Sequence, residues 1–238
     1  PSDKAEIWGG FSVEAIVGAL ATLDAENPLK PLMDNIVAGN VRGVVGIVGC
    51  NNVRFTQDEC IVGITKKLLE NDVLVVVTGC VAHALGKAGI MSPEGAKKYA
   101  GKKLLSVLDA VGQAAGLGGP LPPVLHMGSC VDNSRIGDLL VAVAAYLGVP
   151  IKALPVAAAA PELNHEKALS IGTWAVDLGL FTQVGMAPYC LGGPTVTKVL
   201  TDDIEGLTGG KFFVEADPDK AAAGLIAHID EKRKALGI

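Results

Sequence analysis

The chain has 238 residues, half of them hydrophobic, and its 20 basic and 25 acidic side chains leave a formal net charge of −5. A chain of this length and apolar content can bury a substantial core, which excludes an intrinsically disordered protein. The slight acidic excess and a total of four arginines offer no basic stripe to a phosphate backbone. Nucleic acid is therefore excluded as a partner.

The most apolar stretch, residues 141–163, is interrupted by three prolines and a lysine. No uninterrupted apolar run reaches the ~20 residues of a membrane-spanning helix, so we expect no membrane span. The chain starts with Pro-Ser-Asp-Lys, without an initiator Met or a secretory signal, and we expect a piece of a longer protein. Its five cysteines, an odd number beside apolar runs, indicate reduced thiols in a cytoplasmic protein.

The first predicted element is an amphipathic helix from Phe11 to Leu23, within an N-terminal helical segment of about residues 1–40. Short apolar runs bounded by turn residues then predict four strands, at residues 43–49, 72–79, 123–128 and 151–157. The first three runs lack strict alternation. This pattern is typical of parallel strands that are covered on both faces.

Segments of helical period separate these strands and predict helices at residues 59–70, 93–100, 102–115 and 133–147. Further elements follow, namely a helix near 164–178, strands near 181–184 and 211–215, and a last helix to about Lys234. Asp217 and Pro218 fit the N-cap and first position of that last helix. The alternation predicts one α/β domain with its sheet core at about 41–238. The sheet is expected to be doubly wound, mostly parallel and Rossmann-like, with helices on both faces.

Three cysteines end strand-like runs, each soon after a glycine: Cys50 in VVGIVGC, Cys80 in VLVVVTGC and Cys130 in VLHMGSC. Open α/β sheets bind ligands at the carboxyl ends of their strands, and neighbouring strands lie ~4.8 Å apart. Thiolates gathered from separate strands suit iron, nickel, copper(I) or zinc. Buried structural cysteines are the alternative interpretation, which the residues alone leave open because strand order is unknown.

The other candidate residues carry weaker signals. Cys60 lies inside a helical segment without a preceding strand, which favours a core position, and the role of Cys190 stays open. Lys167 lies near the start of the helix that follows the fourth strand. It is either a solvated charge or a donor to negative charge on a substrate.

Four motifs carry a specific resemblance: VVGIVGCNN, VVVTGCVAHALGKAG, HMGSCVDNSRI and APELNHEKALSIG. In content, order and spacing they resemble the C-terminal domain of the anaerobic nickel-iron carbon monoxide dehydrogenases, from about Phe11 to the C-terminus. That family is an oxidoreductase family. It oxidises CO with water, reversibly, to CO2, two protons and two electrons at a nickel-iron-sulfur centre called the C-cluster.

The resemblance assigns roles to five residues. It implies that Cys50 and Cys80 hold irons, that Cys130 reaches nickel, that Lys167 lies beside the bound carboxylate and that Ile171 walls the open position of nickel. It also implies that an upstream domain shares the C-cluster and that further 4Fe-4S clusters lie in the N-terminal part of the parent. We therefore expect that this chain alone holds no complete cluster and oxidises no CO.

The resemblance further implies a homodimeric cytoplasmic parent enzyme, with ferredoxin and an acetyl-CoA synthase subunit as candidate partners. Two alternatives stay open. The first is the related hybrid-cluster proteins, which share this architecture and reduce hydroxylamine. The second is a metal-free, Rossmann-like interaction module in which the cysteines are only core residues.

Overall fold

The computed structural model of the chain describes residues 4–164 and 168–238. Within these ranges, the side chains at positions 168, 169, 190, 191 and 201 are not described.

Within these ranges the strands form one six-stranded parallel sheet. They are β1 (Gly43–Ile47), β2 (Val73–Thr78), β3 (Val124–Gly128), β4 (Val156–Ala160), β5 (Phe181–Val184) and β6 (Lys211–Val214). Their order is β3-β2-β1-β4-β5-β6, so the direction of winding reverses between β1 and β4. This is the Rossmann strand order, and the predicted doubly wound α/β class is confirmed.

The N-terminal segment contains two helices, α1 (Val13–Ala21) and α2 (Lys30–Val37). The longer helices of the sheet region are α3 (Glu59–Glu70), α4 (Val81–Lys87), α5 (Pro93–Tyr99), α6 (Lys102–Ala114) and α7 (Asn133–Leu147). The helices after β4 are α8 (Thr173–Asp177), α9 (Pro194–Lys198), α10 (Ile204–Thr208) and α11 (Pro218–Leu236). None of the helices in the two described ranges combines the length and apolar character needed to cross a membrane.

Local sequence explains several helix ends. The Asp217 carboxylate accepts hydrogen bonds from the backbone N–H groups of Asp219 and Lys220, so α11 begins where the Asp-Pro pair predicts. Gly148 ends α7 with φ 66°, in the left-handed conformation that glycine adopts without a steric penalty.

Helices cover the sheet on both faces. On one face Gly43 of β1 is so close to α11 that an added Cβ would stand 2.6 Å from the Cγ2 atom of Ile229. On the other face Gly46 lies over Ile136 of α7. All six residues of β2 are buried, because this strand lies between β1 and β3 and under helices on both sides. The continuous apolar run that predicted β2 is therefore explained by burial of both faces of the strand.

Two predicted elements need correction. The fourth strand was expected at residues 151–157, but Ile151–Ala153 is a 3-10 turn and β4 spans Val156–Ala160. Alanine is a poor strand former, so the pattern favoured the residues before it, whereas pairing with β1 and β5 selects the alanine run. Asn164 was expected to begin a helix and is not helical. The described helical backbone there begins with a π-helical turn at Ala168–Gly172, and α8 follows it.

Candidate metal centre

The strand order brings the three candidate cysteines to the ends of adjacent strands. Cys50 follows β1, Cys80 follows β2 and Cys130 follows β3, and these strands are neighbours in the sheet. Two backbone hydrogen bonds continue the pairing beyond the strands. The Gly79 N–H donates to the Gly128 carbonyl at 3.0 Å, and the Cys80 N–H donates to the Gly49 carbonyl at 3.1 Å. The three segments therefore meet at one edge of the sheet.

Glycine is required at this edge. Gly49, Gly79 and Gly128 have φ values of 106°, 70° and 135°, which side chains other than hydrogen rarely allow. At Gly79 space is also lacking, because a Cβ there would stand 2.5 Å from the Cys130 sulfur and 3.1 Å from the Gly49 carbonyl oxygen. The Cys130 thiol thus lies directly against the bare backbone at the end of β2.

The cysteines differ in exposure. Cys50 is buried, Cys130 is half-buried and Cys80 is exposed. Cys60 is buried in the first turn of α3, where its thiol donates to the Ala216 carbonyl at 3.3 Å. Burial raises the pKa of the Cys60 thiol to about 12, and the nearby Glu162 carboxylate adds to the effect. Cys60 therefore occupies the predicted core position. Cys190 lies in a 3-10 turn, and its side chain is outside the description.

Hydrogen bonds hold the turn that carries Cys130. The Asp132 carboxylate accepts from the backbone N–H of Ser129 at 2.6 Å and from its hydroxyl at 2.9 Å, which closes a capping box around the turn. The buried Thr78 hydroxyl donates to the side-chain oxygen of Asn133. The Asn133 Nδ2 atom is also buried, and within the described residues it has no hydrogen-bond partner.

Ile171 lies at the same edge of the sheet. It lines a cavity of about 20 Å³ together with Gly49, the residue before Cys50, and with Leu163. It also lines a neighbouring cavity of about 50 Å³ between the sheet and α7, where Asn133 and Trp174 are further lining residues. The structure thus places Ile171 beside the end of β1. Lys167 lies outside the described residues.

The described side chains also include the donor types that hold single metal ions. In residues 4–164 and 168–238, no group of three or more His, Cys, Asp or Glu side chains is placed to hold a metal ion.

One buried carboxylate near this edge escaped the sequence analysis. Glu162, two residues after β4, is fully buried. Its carboxylate lies 3.4 Å from each of three donors, the Asn51 amide group and the backbone N–H groups of Asp58 and Ile61. Burial raises the pKa of Glu162, and the hydrogen bonds from Ile61, Asp58 and Asn51 oppose that rise. The only signal in the sequence is one acidic residue within the apolar run 156–163.

Comparison with known proteins decides the family. A model of the Prismane/CO dehydrogenase family matches residues 4–219. The chain belongs to this family. The match covers most of the chain, and the predicted resemblance is confirmed.

Individual members of the Prismane/CO dehydrogenase family are similar along the whole chain. Carbon monoxide dehydrogenase 2 of Carboxydothermus hydrogenoformans is 52% identical over 238 residues, which are 37% of that protein. Carbon Monoxide Dehydrogenase IV from the same organism is 60% identical, with a TM-score of 0.96 over the whole chain and 38% of that structure. The as-isolated, Ni-free carbon monoxide dehydrogenase of Thermococcus sp. AM4 is 46% identical, with a TM-score of 0.88 over 98% of the chain and 35% of that structure. The chain therefore spans little more than a third of the length of these relatives.

Proposed function

We propose that the chain is the C-terminal domain of a carbon monoxide dehydrogenase. In this role it supplies part of the C-cluster site for the reversible oxidation of CO with water to CO2, two protons and two electrons. The observation that carries the proposal is the placement of Cys50, Cys80 and Cys130 at the ends of three adjacent strands. The names of the similar proteins support it.

The chemistry of the edge fits a sulfur-ligated cluster. Thiolates are soft ligands that suit nickel and iron-sulfur centres, and they come here from separate strands. Because Gly79 has no side chain, the Cys130 sulfur lies directly against the backbone at the end of β2. Cys50 and Cys80 would hold irons, and Cys130 would hold nickel. When bound, the cluster supplies the site at which CO and water react and accepts the two electrons.

Two further residues would act on the substrate. The Lys167 ammonium would donate hydrogen bonds to the negative charge that develops on the substrate oxygens, a contribution typically of ~3 kcal/mol for one well-placed donor. Ile171 would present an apolar wall beside the end of β1, where it lines a cavity with Gly49 and Leu163. Such a wall admits a small uncharged gas and does not hold water against its own surface, because water there would lack hydrogen-bond partners.

The proposal also assigns partners and a cellular setting. The rest of the parent chain would supply the remaining cluster ligands and the further 4Fe-4S clusters that carry electrons away. The parent would be a cytoplasmic homodimer, with ferredoxin as electron acceptor and an acetyl-CoA synthase subunit as a candidate partner.

Metal analysis with an activity assay tests the proposal. The full-length protein that carries this chain is purified without oxygen and assayed for nickel, iron and CO-dependent dye reduction. We expect that Cys130→Ala abolishes nickel binding and CO oxidation, whereas Cys60→Ala retains both because Cys60 is a core thiol.

Three outcomes contradict parts of this assignment. Equal loss of nickel from both variants would remove the special role of Cys130. Iron without nickel, together with hydroxylamine reduction, would indicate a hybrid-cluster protein. Stoichiometric nickel and turnover in the isolated 238-residue chain would refute the proposal that upstream domains are needed.

A further inference from the structure

Glu162 is a buried carboxylate at the amino end of a helix that belongs to a different βα unit. Its side chain has no exposed surface, and it approaches the N-cap residue Asp58 and the third residue of α3, Ile61. A carboxylate is stabilised there by backbone N–H groups and by the helix dipole. Asp58 itself does not cap α3 with its side chain. The capping charge comes instead from the segment that leaves β4.

The same carboxylate is linked to the loop that follows Cys50. Asn51, the next residue, donates from Nδ2 to Asp58 Oδ1 at 2.8 Å and approaches Glu162 Oε2 at 3.4 Å. The following residue, Asn52, is buried and donates from its own Nδ2 to the Leu163 carbonyl at 3.0 Å. Two consecutive asparagines therefore bind two consecutive residues, Glu162 and Leu163, across 111 positions of sequence.

The conformation and contacts of Asp58 also support the link between Asn51 and the start of α3. Asp58 has a φ of 67°, a left-handed conformation that aspartate tolerates better than most residues. In this conformation its carboxylate faces Asn51, and Lys87 of α4 pairs with it at 2.5 Å. A helix cap alone does not require these contacts with the Cys50 loop.

We propose that Glu162 is a positioning residue, whose buried carboxylate holds the loop after Cys50 through Asn51 and thereby fixes the Cys50 thiol at the edge of the sheet. This inference rests on the proposed function, because it gives Cys50 the role of an iron ligand. It adds that the β4 exit and the Cys50 loop form one hydrogen-bonded unit.

The test measures the reactivity of single thiols. The full-length protein that carries this chain is stripped of metal by a chelator without oxygen and treated with iodoacetamide, and each cysteine peptide is quantified by mass spectrometry. Cys60 is an internal reference, because it lies in the first turn of α3 and reports on the helix cap. Glu59→Gln is the matched control, since Glu59 is exposed in the same helix turn.

Asn51→Ala removes the hydrogen bonds from the Cys50 loop to Asp58 and Glu162, and it leaves the contacts of Glu162 with the backbone N–H groups of α3 in place. We expect it to raise the alkylation rate of Cys50 about tenfold, because the buried thiol is reached through local opening of its loop, while the rate at Cys60 stays unchanged. Glu162→Gln should also raise the rate at Cys50, because its one carbonyl oxygen cannot accept from the Asn51 amide group and from the backbone N–H of Ile61 together. Glu59→Gln should change neither rate.

The proposal fails if Asn51→Ala leaves the Cys50 rate within about twofold of the native protein, a change too small for the loss of partly buried hydrogen bonds. It also fails if Glu162→Gln accelerates Cys60 as much as Cys50, since the carboxylate would then be only a helix cap. If Glu162→Gln does not fold, Asn51→Ala decides. The proposed function is judged separately by nickel and iron in the native protein, because the alkylation is measured after metal removal.

Discussion

The sulfur atom of Cys130 lies 2.5 Å from the point at which a Cβ atom on Gly79 would stand. Real side chains do not approach a sulfur this closely, so the end of β2 can accept the Cys130 thiol only while position 79 is glycine. The cysteine after β3 therefore requires a glycine after the neighbouring strand β2.

Gly79→Ala tests this pair by unfolding. The matched control is Gly89→Ala, since Gly89 has nearly the same φ, 69° against 70°, but no atom within 4 Å of an added Cβ. The control should lose about 1 kcal/mol of unfolding free energy through left-handed strain alone. Gly79→Ala should lose about 3 kcal/mol, because the clash adds to the strain. Urea titration measures both, and equal losses would mean that Cys130 moves aside at little cost.

Thiol chemistry should separate Cys80 from Cys60 in the metal-stripped protein. Cys80 is exposed, whereas Cys60 is buried with a pKa of about 12. At pH 8 the Cys60 thiolate fraction is about 10⁻⁴, and only the thiolate reacts. Iodoacetamide should therefore label Cys80 within minutes, whereas Cys60 in the folded protein should react far more slowly and stay unmodified over the same time. Labelling of both at similar rates, with urea-unfolded protein as the control, would contradict the core position of Cys60.

Acid should destabilise the protein through His228. Its ring stacks on Phe181 with centroids 4.6 Å apart, and burial lowers the pKa of His228 to about 4. The unfolded state, with a pKa near 6.5, then binds the proton more readily, so the stability contribution is complete above pH 6.5 and falls away towards pH 4. From pH 7 to pH 5 the native protein should lose about 1 kcal/mol more than His228→Phe, which keeps an aromatic ring; the figure is modest because His228 is partly exposed and solvent screens its charge. Parallel pH profiles of stability for the two proteins would show that burial does not disfavour protonation of His228.

The ion pair between Arg42 and Asp230 should stabilise the contact between α11 and the residue that precedes β1. Nε and Nη2 of Arg42 donate to the two carboxylate oxygens at 2.7 and 2.6 Å, and this holds the pKa of Asp230 below its usual value. Asp230→Asn should cost about 1 kcal/mol at pH 7, a modest figure because both side chains are partly exposed.

The pH dependence of that pair has a defined sign. Because the pKa of Asp230 is lowered in the folded state, its contribution is present above the unfolded pKa and disappears as the pH falls through the folded value. The difference between native protein and Asp230→Asn should therefore shrink in acid. Asp34→Asn, in the more exposed pair with Lys30, is the control and should cost less than Asp230→Asn at pH 7. Equal costs for the two variants would contradict the role of the bidentate pair.

The local sequence pattern was sufficient to predict an element where the local conformational preference agrees with the tertiary packing. The valine-rich run of β2 is apolar on both faces, and the strand is buried on both faces. The Asp217-Pro218 pair begins α11 as expected, because a cap needs only neighbouring residues. At β4 the two preferences conflict, and the alanine run becomes a strand only because β1 and β5 supply its hydrogen-bond partners.

In the candidate site, too, only the features that depend on neighbouring residues could be predicted from the sequence. Each cysteine with its preceding glycine is visible as a short motif, and the resemblance in those motifs predicted the family that the comparisons confirm. The contact between Asn51 and Glu162 is not visible, because nothing in an apolar run identifies the partner of its one carboxylate 111 residues away.

The sequence by itself determined the alternation of strands and helices, the family and the position of each thiol at the end of its own strand, since these depend on residues close together in the chain. Only the tertiary structure decided that β1, β2 and β3 are neighbours, that Gly79 faces the Cys130 sulfur and that Glu162 reaches the Cys50 loop. The physical reason is that backbone hydrogen bonds between parallel strands are the same for any strand order. The order is therefore selected by the packing of the whole sheet and its helices rather than by any single segment.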